Sequence, residues 1–178
     1  MKILAFAGSN SEVSVNKKLV TFAASFFSEH EVEIIDLNHF EMPIYKNERE
    51  IENGIPKLAF DFAEKIDGSD LLLISLAEHN GSYSTAFKNI YDWVSRIKGR
   101  KAYGGKPVFL MAAAPGRRGG ASVLAAATAR FPFDGATILE TFSLPFFNEN
   151  FSEKDGILNE EKRAELQAKS ATVLQYFQ

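Results

Sequence analysis

Cysteine is absent from this chain of 178 residues. That excludes disulfides, thiolate metal sites and cysteine nucleophiles, and it fits a reducing, cytoplasmic setting. No apolar run approaches the length of a membrane helix, so no membrane association is expected. The apolar stretch after Met1-Lys2 is too short for the core of a signal peptide, and Gly8 ends it. Positive charge is not in excess: Lys plus Arg number 20 against 23 Asp plus Glu, a net charge of −3, which argues against nucleic acid as a partner. Histidine is scarce, with three in all. Glu78-His79-Asn80 offers a single imidazole beside a single carboxylate, too poor a ligand set for a metal site. A GxGxxG or Walker pattern is missing, which counts against ordinary dinucleotide and triphosphate sites. The Gly-x-Ser-x-Gly elbow of serine hydrolases is missing too.

Apolar material is plentiful, at 46% hydrophobic residues with 16 Phe. The length suits one domain spanning residues 1–178. Apolar runs and helical stripes alternate along it. Residues 2–7, 32–36, 70–76, 106–111 and 136–142 read as strands. Helical stripes follow each: Leu19-Phe22-Ala23-Phe26-Phe27 within 15–28, then 55–66, 87–97, 124–131 and 166–177. The segment around Pro43, Asn47, Asn53 and Gly54 reads as a loop. Asp70-Leu71-Leu72-Leu73-Ile74-Ser75-Leu76 is the most hydrophobic strand and is expected at the centre. Five strands, each followed by a helix, predict an α/β three-layer sandwich: a parallel sheet with helices on both faces. Right-handed crossovers and the strand count favour the order 2-1-3-4-5. A ligand in such a sheet sits beyond the carboxyl ends of the strands, beside strand one.

Three loops should therefore meet. The first, Gly8-Ser9-Asn10-Ser11-Glu12-Val13-Ser14-Val15-Asn16, joins a buried strand to a helix N-terminus. Free N–H groups and the positive end of the helix dipole suit an anion there. Ser and Asn at that point also serve simply as N-caps, and the sequence leaves both readings open. Lys17 and Lys18 lie in the first helical turn, where the dipole disfavours cations unless an anion is bound. The second loop is Ala77-Glu78-His79-Asn80-Gly81-Ser82-Tyr83. The third is Ala112-Ala113-Ala114-Pro115-Gly116-Arg117-Arg118-Gly119-Gly120. Their small residues and exposed main chain suit a flat ring held by its edges. Arg117 and Arg118 are either solvated or an attraction for a pyridine nucleotide phosphate.

These loops resemble the NAD(P)H-dependent FMN reductase family, the flavodoxin-like group that includes quinone, azo-dye and chromate reductases. Gly8, Ser9, Ser14 and Asn16 match its first pattern, G-S-x-R-x-x-S-x-N. Glu78, Asn80, Gly81, Ser82, Lys88, Asn89, Asp92 and Trp93 match P-E-Y-N-G-S and the K-N-x-x-D-W helix after it. Gly105-Lys106-Pro107, Pro115-Gly116 and Gly119-Gly120 match the G-K-P strand and its S-P-G-x-x-G-G turn. Ser11 stands in place of the family Arg, Ala77 in place of Pro, His79 in place of Tyr and Ala114 in place of Ser. An imidazole at position 79 would bring pH dependence near neutrality.

The resemblance implies a flavodoxin-like fold, bound FMN, NADPH or NADH as co-substrate, and a quinone-like or other small-molecule electron acceptor. It places Ser9, Ser11, Ser14, Val15 and Asn16 at the FMN phosphate. Ala77, Glu78, His79, Asn80 and Gly81 would contact the ring, and Ala114, Gly116, Gly119 and Gly120 would flank its other edge. No acid–base pair is required, because the flavin carries the chemistry. The family also implies a homodimer or homotetramer, with Phe40, Tyr45, Tyr83 and Trp93 available either for that contact or for internal packing. One rival reading is a flavodoxin-type electron carrier, although the Thr-rich loop and acidic surface usual there are missing. Another is a receiver-type signalling domain, which needs acidic residues where Gly8-Ser9-Asn10 stands.

Overall fold

The computed structural model describes residues 1–178. Five parallel strands form its sheet: β1 (Lys2–Gly8), β2 (Glu31–Ile35), β3 (Leu71–Leu76), β6 (Pro107–Ala113) and β7 (Thr137–Leu144). Their order is β2-β1-β3-β6-β7, which is the expected 2-1-3-4-5, with β3 at the centre. Two small hairpins are added, β4 (Glu78–His79) with β5 (Ser82–Tyr83), and β8 (Phe151–Ser152) with β9 (Gly156–Ile157).

The strands read as unbroken apolar runs because both faces are covered. Side chains alternate between two cores. Leu4, Phe6, Leu72, Ile74, Val108 and Leu110 enter one; Ile3, Ala5, Leu71, Leu73, Phe109 and Met111 enter the other. The first core is closed by α3 (Lys57–Asp67), α4 (Thr85–Val94) and α5 (Ala121–Arg130). The second is closed by α1 (Val15–Ala24) and α7 (Glu160–Gln175). Edge-to-face rings fill the first core, with Phe62 at 5.3 Å from Phe6 and 5.1 Å from Phe40.

Several boundaries differ from the sequence reading. The first helix ends at Ala24 and tightens into a 3-10 turn over Ser25–Phe27. Helix α7 begins at Glu160 because Asn159 caps it, accepting from Lys162 N–H, so it starts before its first buried residue, Leu166. The segment expected as loop contains α2 (Asn47–Asn53), which buries none of its residues and so carries no apolar stripe to read. Polar contacts hold it: Glu50 accepts from Arg96 Nε at 2.8 Å and from Tyr45 Oη at 3.0 Å. A short helix, α6 (Phe147–Asn150), links β7 to the second hairpin.

The aromatic residues available for a subunit contact are largely used inside the chain. Trp93 is fully buried and Phe40 nearly so. Trp93 Nε1 donates to Pro43 O at 2.7 Å, and Tyr45 packs edge-to-face on the Trp93 ring. Tyr83 stacks on Phe131 at 5.9 Å. Asn89 completes this latch: it accepts from Tyr45 N–H and donates to Met42 O. The Lys-Asn-x-x-Asp-Trp pattern thus ties the segment after β2 onto α4.

Candidate functional site

The loop after β1 lies between the strand and the N-terminus of α1. Ser14 caps the helix, its hydroxyl accepting from Lys17 N–H at 3.2 Å. Ser9 accepts from Ser11 N–H at 3.2 Å. Both hydroxyls are buried and each keeps its own O–H for donation. The N–H groups of Asn10, Glu12, Val13, Val15 and Asn16 find no acceptor in the protein. Those of Val15 and Asn16 are left over by helix geometry itself. Ser11 is exposed at the rim.

Asn16 behaves differently from the phosphate-facing role expected of its side chain. Its carboxamide is 2% exposed. Oδ1 accepts from Ala113 N–H at 2.8 Å and from the Ser75 hydroxyl at 2.8 Å, and Nδ2 donates to Ala113 O at 3.1 Å. Strand β3 runs out opposite Ala112, one residue before β6 ends. The carboxamide takes the place of the missing peptide group. It sets the spacing between the first and third loops, and the Asn16 backbone N–H remains open to an anion.

Lys17 and Lys18 are not held in reserve for a phosphate either. Lys17 pairs with Asp36 at 2.5 Å and Lys18 with Glu153 at 2.7 Å. The Lys17 hydrogen bond holds the Asp36 carboxyl below the usual carboxylate range, and Lys18 does the same to Glu153.

The second loop is the β4–β5 hairpin. Asn80 and Gly81 both take positive φ, 51° and 79°, as a two-residue turn of that hand demands. Ala77 is buried, whereas His79, Asn80 and Gly81 are exposed. The Glu78 side chain turns away from the turn and accepts from Val123 N–H at 3.0 Å. Helix α5 starts from Gly120 in the left-handed region and has no side-chain cap of its own. Glu78 supplies that cap from across the gap and locks the second loop onto the third.

In the third loop the buried and open parts separate. Ala114 gives its N–H to Leu144 O and its carbonyl to Phe147 N–H. Gly119 and Gly120 are buried, with φ of 55° and 80°. A Cβ on Gly119 would lie 2.3 Å from Ser143 Oγ, and one on Gly120 would lie 2.6 Å from Ala112 Cβ. These two glycines shape the loop. Pro115, Gly116, Arg117 and Arg118 are exposed, and a Cβ on Gly116 would meet nothing within 4 Å. The N–H groups of Gly116, Arg117 and Arg118 have no protein acceptor.

Two side chains that anchor this arrangement escape the motif reading. Ser84 donates to Gly8 O at 2.8 Å while capping α4 at Phe87 N–H, so it joins the end of β1 to the helix after the hairpin. Its place just before a helical stripe is a readable N-cap signal. Ser75 is fully buried beneath Asn16; a hydroxyl inside an apolar strand is its signal. Beside the first two loops lies a recess of about 340 Å³, with Asn10 and His79 at its rim and Leu37, Phe40, Met42 and Ile90 among its apolar lining. No group of three or more metal-ligating side chains occurs, and no helix is long and apolar enough to cross a membrane.

A parallel 2-1-3-4-5 sheet with helices on both faces, and with a loop of unpaired N–H groups after its first strand beside two glycine-bearing loops, defines a flavodoxin-like domain. The sequence pattern of the NADPH-dependent FMN reductase family matches residues 1–149, and the chain belongs to that family. Among curated relatives, a 2-hydroxy-1,4-benzoquinone reductase of Burkholderia is 33% identical over 108 residues, covering 60% of this chain and 57% of the relative. A quinone reductase of Pseudomonas putida is 36% identical over 117 residues, covering 64% of this chain and 60% of the relative. The chain thus spans somewhat under two thirds of these relatives. A solved flavoenzyme NAD(P)H:(acceptor) oxidoreductase, FerB of Paracoccus denitrificans, superposes with a TM-score of 0.78 at 23% identity, covering 98% of this chain and 96% of that one. The likeness to FerB establishes the shared fold.

Proposed function

We infer that this chain is an NAD(P)H-dependent FMN oxidoreductase that passes reducing equivalents to quinone-like acceptors. One observation carries the reading. The loop after β1 presents unpaired N–H groups from Asn10, Glu12, Val13, Val15 and Asn16 together with the hydroxyls of Ser9 and Ser14. That donor set fits a phosphate monoester, which carries about −1.5 to −2 charge and three acceptor oxygens at neutral pH. No guanidinium is needed, so Ser11 in place of the family Arg is tolerated, with the backbone bearing the anion.

When bound, FMN supplies the hydride relay between nicotinamide and acceptor. The protein's residues bind and orient. Ser9, Ser11, Ser14, Val15 and Asn16 hold the phosphate end, with Asn16 contributing its N–H alone. The Asn80-Gly81 turn and the main chain of Ala77 to His79 border the ring, with Gly116 and its neighbours opposite. The side chain of Glu78 fixes the distance between these two borders. Gly119, Gly120 and Ala114 support the ring loop from beneath. The His79 imidazole is exposed at the rim of the 340 Å³ recess. Quinone as acceptor is supported by the names of the two relatives above. A homodimer or homotetramer and a cytoplasmic setting belong to the same reading.

The electron-carrier alternative differs in one observable. Purified protein loaded with FMN is mixed with NADPH or NADH in a stopped-flow spectrometer without oxygen. Rapid bleaching of the visible flavin bands, with reoxidation on adding a benzoquinone, is the expected result. Bound flavin that neither nucleotide reduces would leave the carrier role, and a chain that binds no FMN would sink both.

A further inference from the structure

A larger recess than the one at His79 lies outside the loops just described. It is a groove of about 720 Å³ between the first turns of α1 and the β8–β9 hairpin, with the N-terminal part of α7 on its far side. Its floor is aromatic. Phe22 and Phe151 meet edge-to-face at 5.9 Å, and Phe147 stacks on Phe151 at 4.7 Å. The hairpin is seated firmly on that floor: Gly156 has φ of 73°, and a Cβ there would come within 2.0 Å of the Phe22 ring. Leu158 N–H donating to Asn150 O at 2.7 Å closes the hairpin's base.

The charge of the groove runs against that of the whole chain. Four cations line it, Lys17, Lys18, Lys154 and Arg163, against two carboxylates, Glu153 and Asp155. Both carboxylates have partners: Glu153 pairs with Lys18, and Asp155 accepts from the Ser152 hydroxyl within the hairpin turn. Lys17 pairs with Asp36. Lys154 and Arg163 have no carboxylate within ion-pair distance and are exposed. Asp155, bonded only to a neutral hydroxyl, offsets one of these two cations, and the net positive charge that remains above an aromatic floor matches a planar base bearing phosphate. The volume falls within the usual range for a small-molecule site. Lys17 and Lys18 follow Ser14, the cap of α1, by three and four residues, so the groove begins about one helical turn from the first loop.

We propose that this groove holds the phosphorylated adenosine half of NADPH, with Lys154 and Arg163 engaging the 2′-phosphate. The choice of NADPH among phosphorylated nucleotides rests on the reductase reading above. The existence of a nucleoside-phosphate site does not. The groove would set a preference for NADPH over NADH.

The test uses the full chain loaded with FMN. Calorimetric titration with 2′,5′-ADP should show binding, with 5′-AMP at least threefold weaker. K154E/R163E should weaken 2′,5′-ADP at least tenfold. T21E, which adds a carboxylate at the exposed groove wall while removing no cation, should weaken it at least threefold. Aromatic proton resonances of Phe22 and Phe151 should move on adding the probe. In steady state the ratio of KM for NADPH to KM for NADH should rise at least fivefold in K154E/R163E. Unchanged 2′,5′-ADP affinity in both variants, or spectral changes confined to residues 116–120, would overturn the assignment. Equal affinity for 2′,5′-ADP and 5′-AMP would overturn the 2′-phosphate contact. A chain that oxidises neither nucleotide would remove the reductase reading, yet the calorimetric and spectral arms would still decide whether the groove binds a nucleoside phosphate.

Discussion

Replacing Asn16 by alanine separates structural support from ligand contact. The carboxamide makes three hydrogen bonds at a site where Asn16, Ser75 and Ala113 are all essentially buried. Asn16→Ala leaves the Ala113 N–H, the Ala113 carbonyl and the Ser75 hydroxyl without their partner. At roughly 1 kcal/mol for each buried bond lost, the cost is about 3 kcal/mol. In a domain of this size that lowers Tm by roughly 6–12 °C. Ser75→Ala should cost only about 1 kcal/mol, because Asn16 Oδ1 keeps the Ala113 N–H. Asn16→Asp should be at least as damaging as alanine at neutral pH, since a carboxylate oxygen would then face the Ala113 carbonyl. The measurement is thermal unfolding of FMN-free protein by circular dichroism, paired with FMN titration by fluorescence quenching. A variant whose FMN-free Tm stays within about 2 °C of the parent while FMN affinity collapses would refute the reasoning. The side chain would then act as a phosphate ligand and the bridge would count for little.

Glu78→Ala should cost about 1 kcal/mol, roughly 2–4 °C in Tm, by uncapping α5 at Val123, with Glu78→Gln recovering part of the loss by retaining an acceptor; equal Tm for all three proteins would deny the cap. Gly120→Ala forces a non-glycine residue into φ of 80° against Ala112 and should lower stability by about 1–3 kcal/mol in urea unfolding, whereas Gly116→Ala enters open space and should leave the urea midpoint unmoved. Asp36 gives a pH test. Its carboxyl titrates below its ordinary value because Lys17 donates to it, so its contribution is complete above about pH 4 and is lost as pH falls through the lowered value. The Tm difference between parent and Asp36→Asn should therefore be present at pH 6 and shrink as pH falls from 4 towards 2; a difference that grows on acidification would contradict the assigned sign.

The functional loops show how far local chemistry carries. Asn80-Gly81 spells a two-residue turn by itself, since few other pairs accept positive φ at both positions. Ser14 reads as a cap because a short hydroxyl ahead of a helical stripe satisfies an orphan N–H wherever it occurs. Helix α2 left no such trace. It buries nothing and is held by Glu50 to Arg96 and Tyr45, partners more than forty residues and five residues away respectively. The bulge in β7, where Phe109 pairs with Glu140 after Val108 pairs with Ile138, is likewise fixed by its neighbour strand alone.

Continuous apolar runs separated by helical stripes determined the α/β class, the five strands of the main sheet and the central place of residues 71–76, because those are consequences of burial that each segment carries within itself. The pattern of small and hydroxyl-bearing residues likewise marked the three strand ends proposed to form the site. Only the folded chain decided the work of individual side chains there. Asn16, 97 residues from Ala113, became a substitute peptide group, and Glu78 became the cap of a helix that starts more than forty residues later. The physical reason is that a hydrogen bond belongs to two partners. Sequence names the donor and acceptor types, but whether a side chain serves a ligand or a distant backbone group depends on which of them the packed sheet brings within 3 Å.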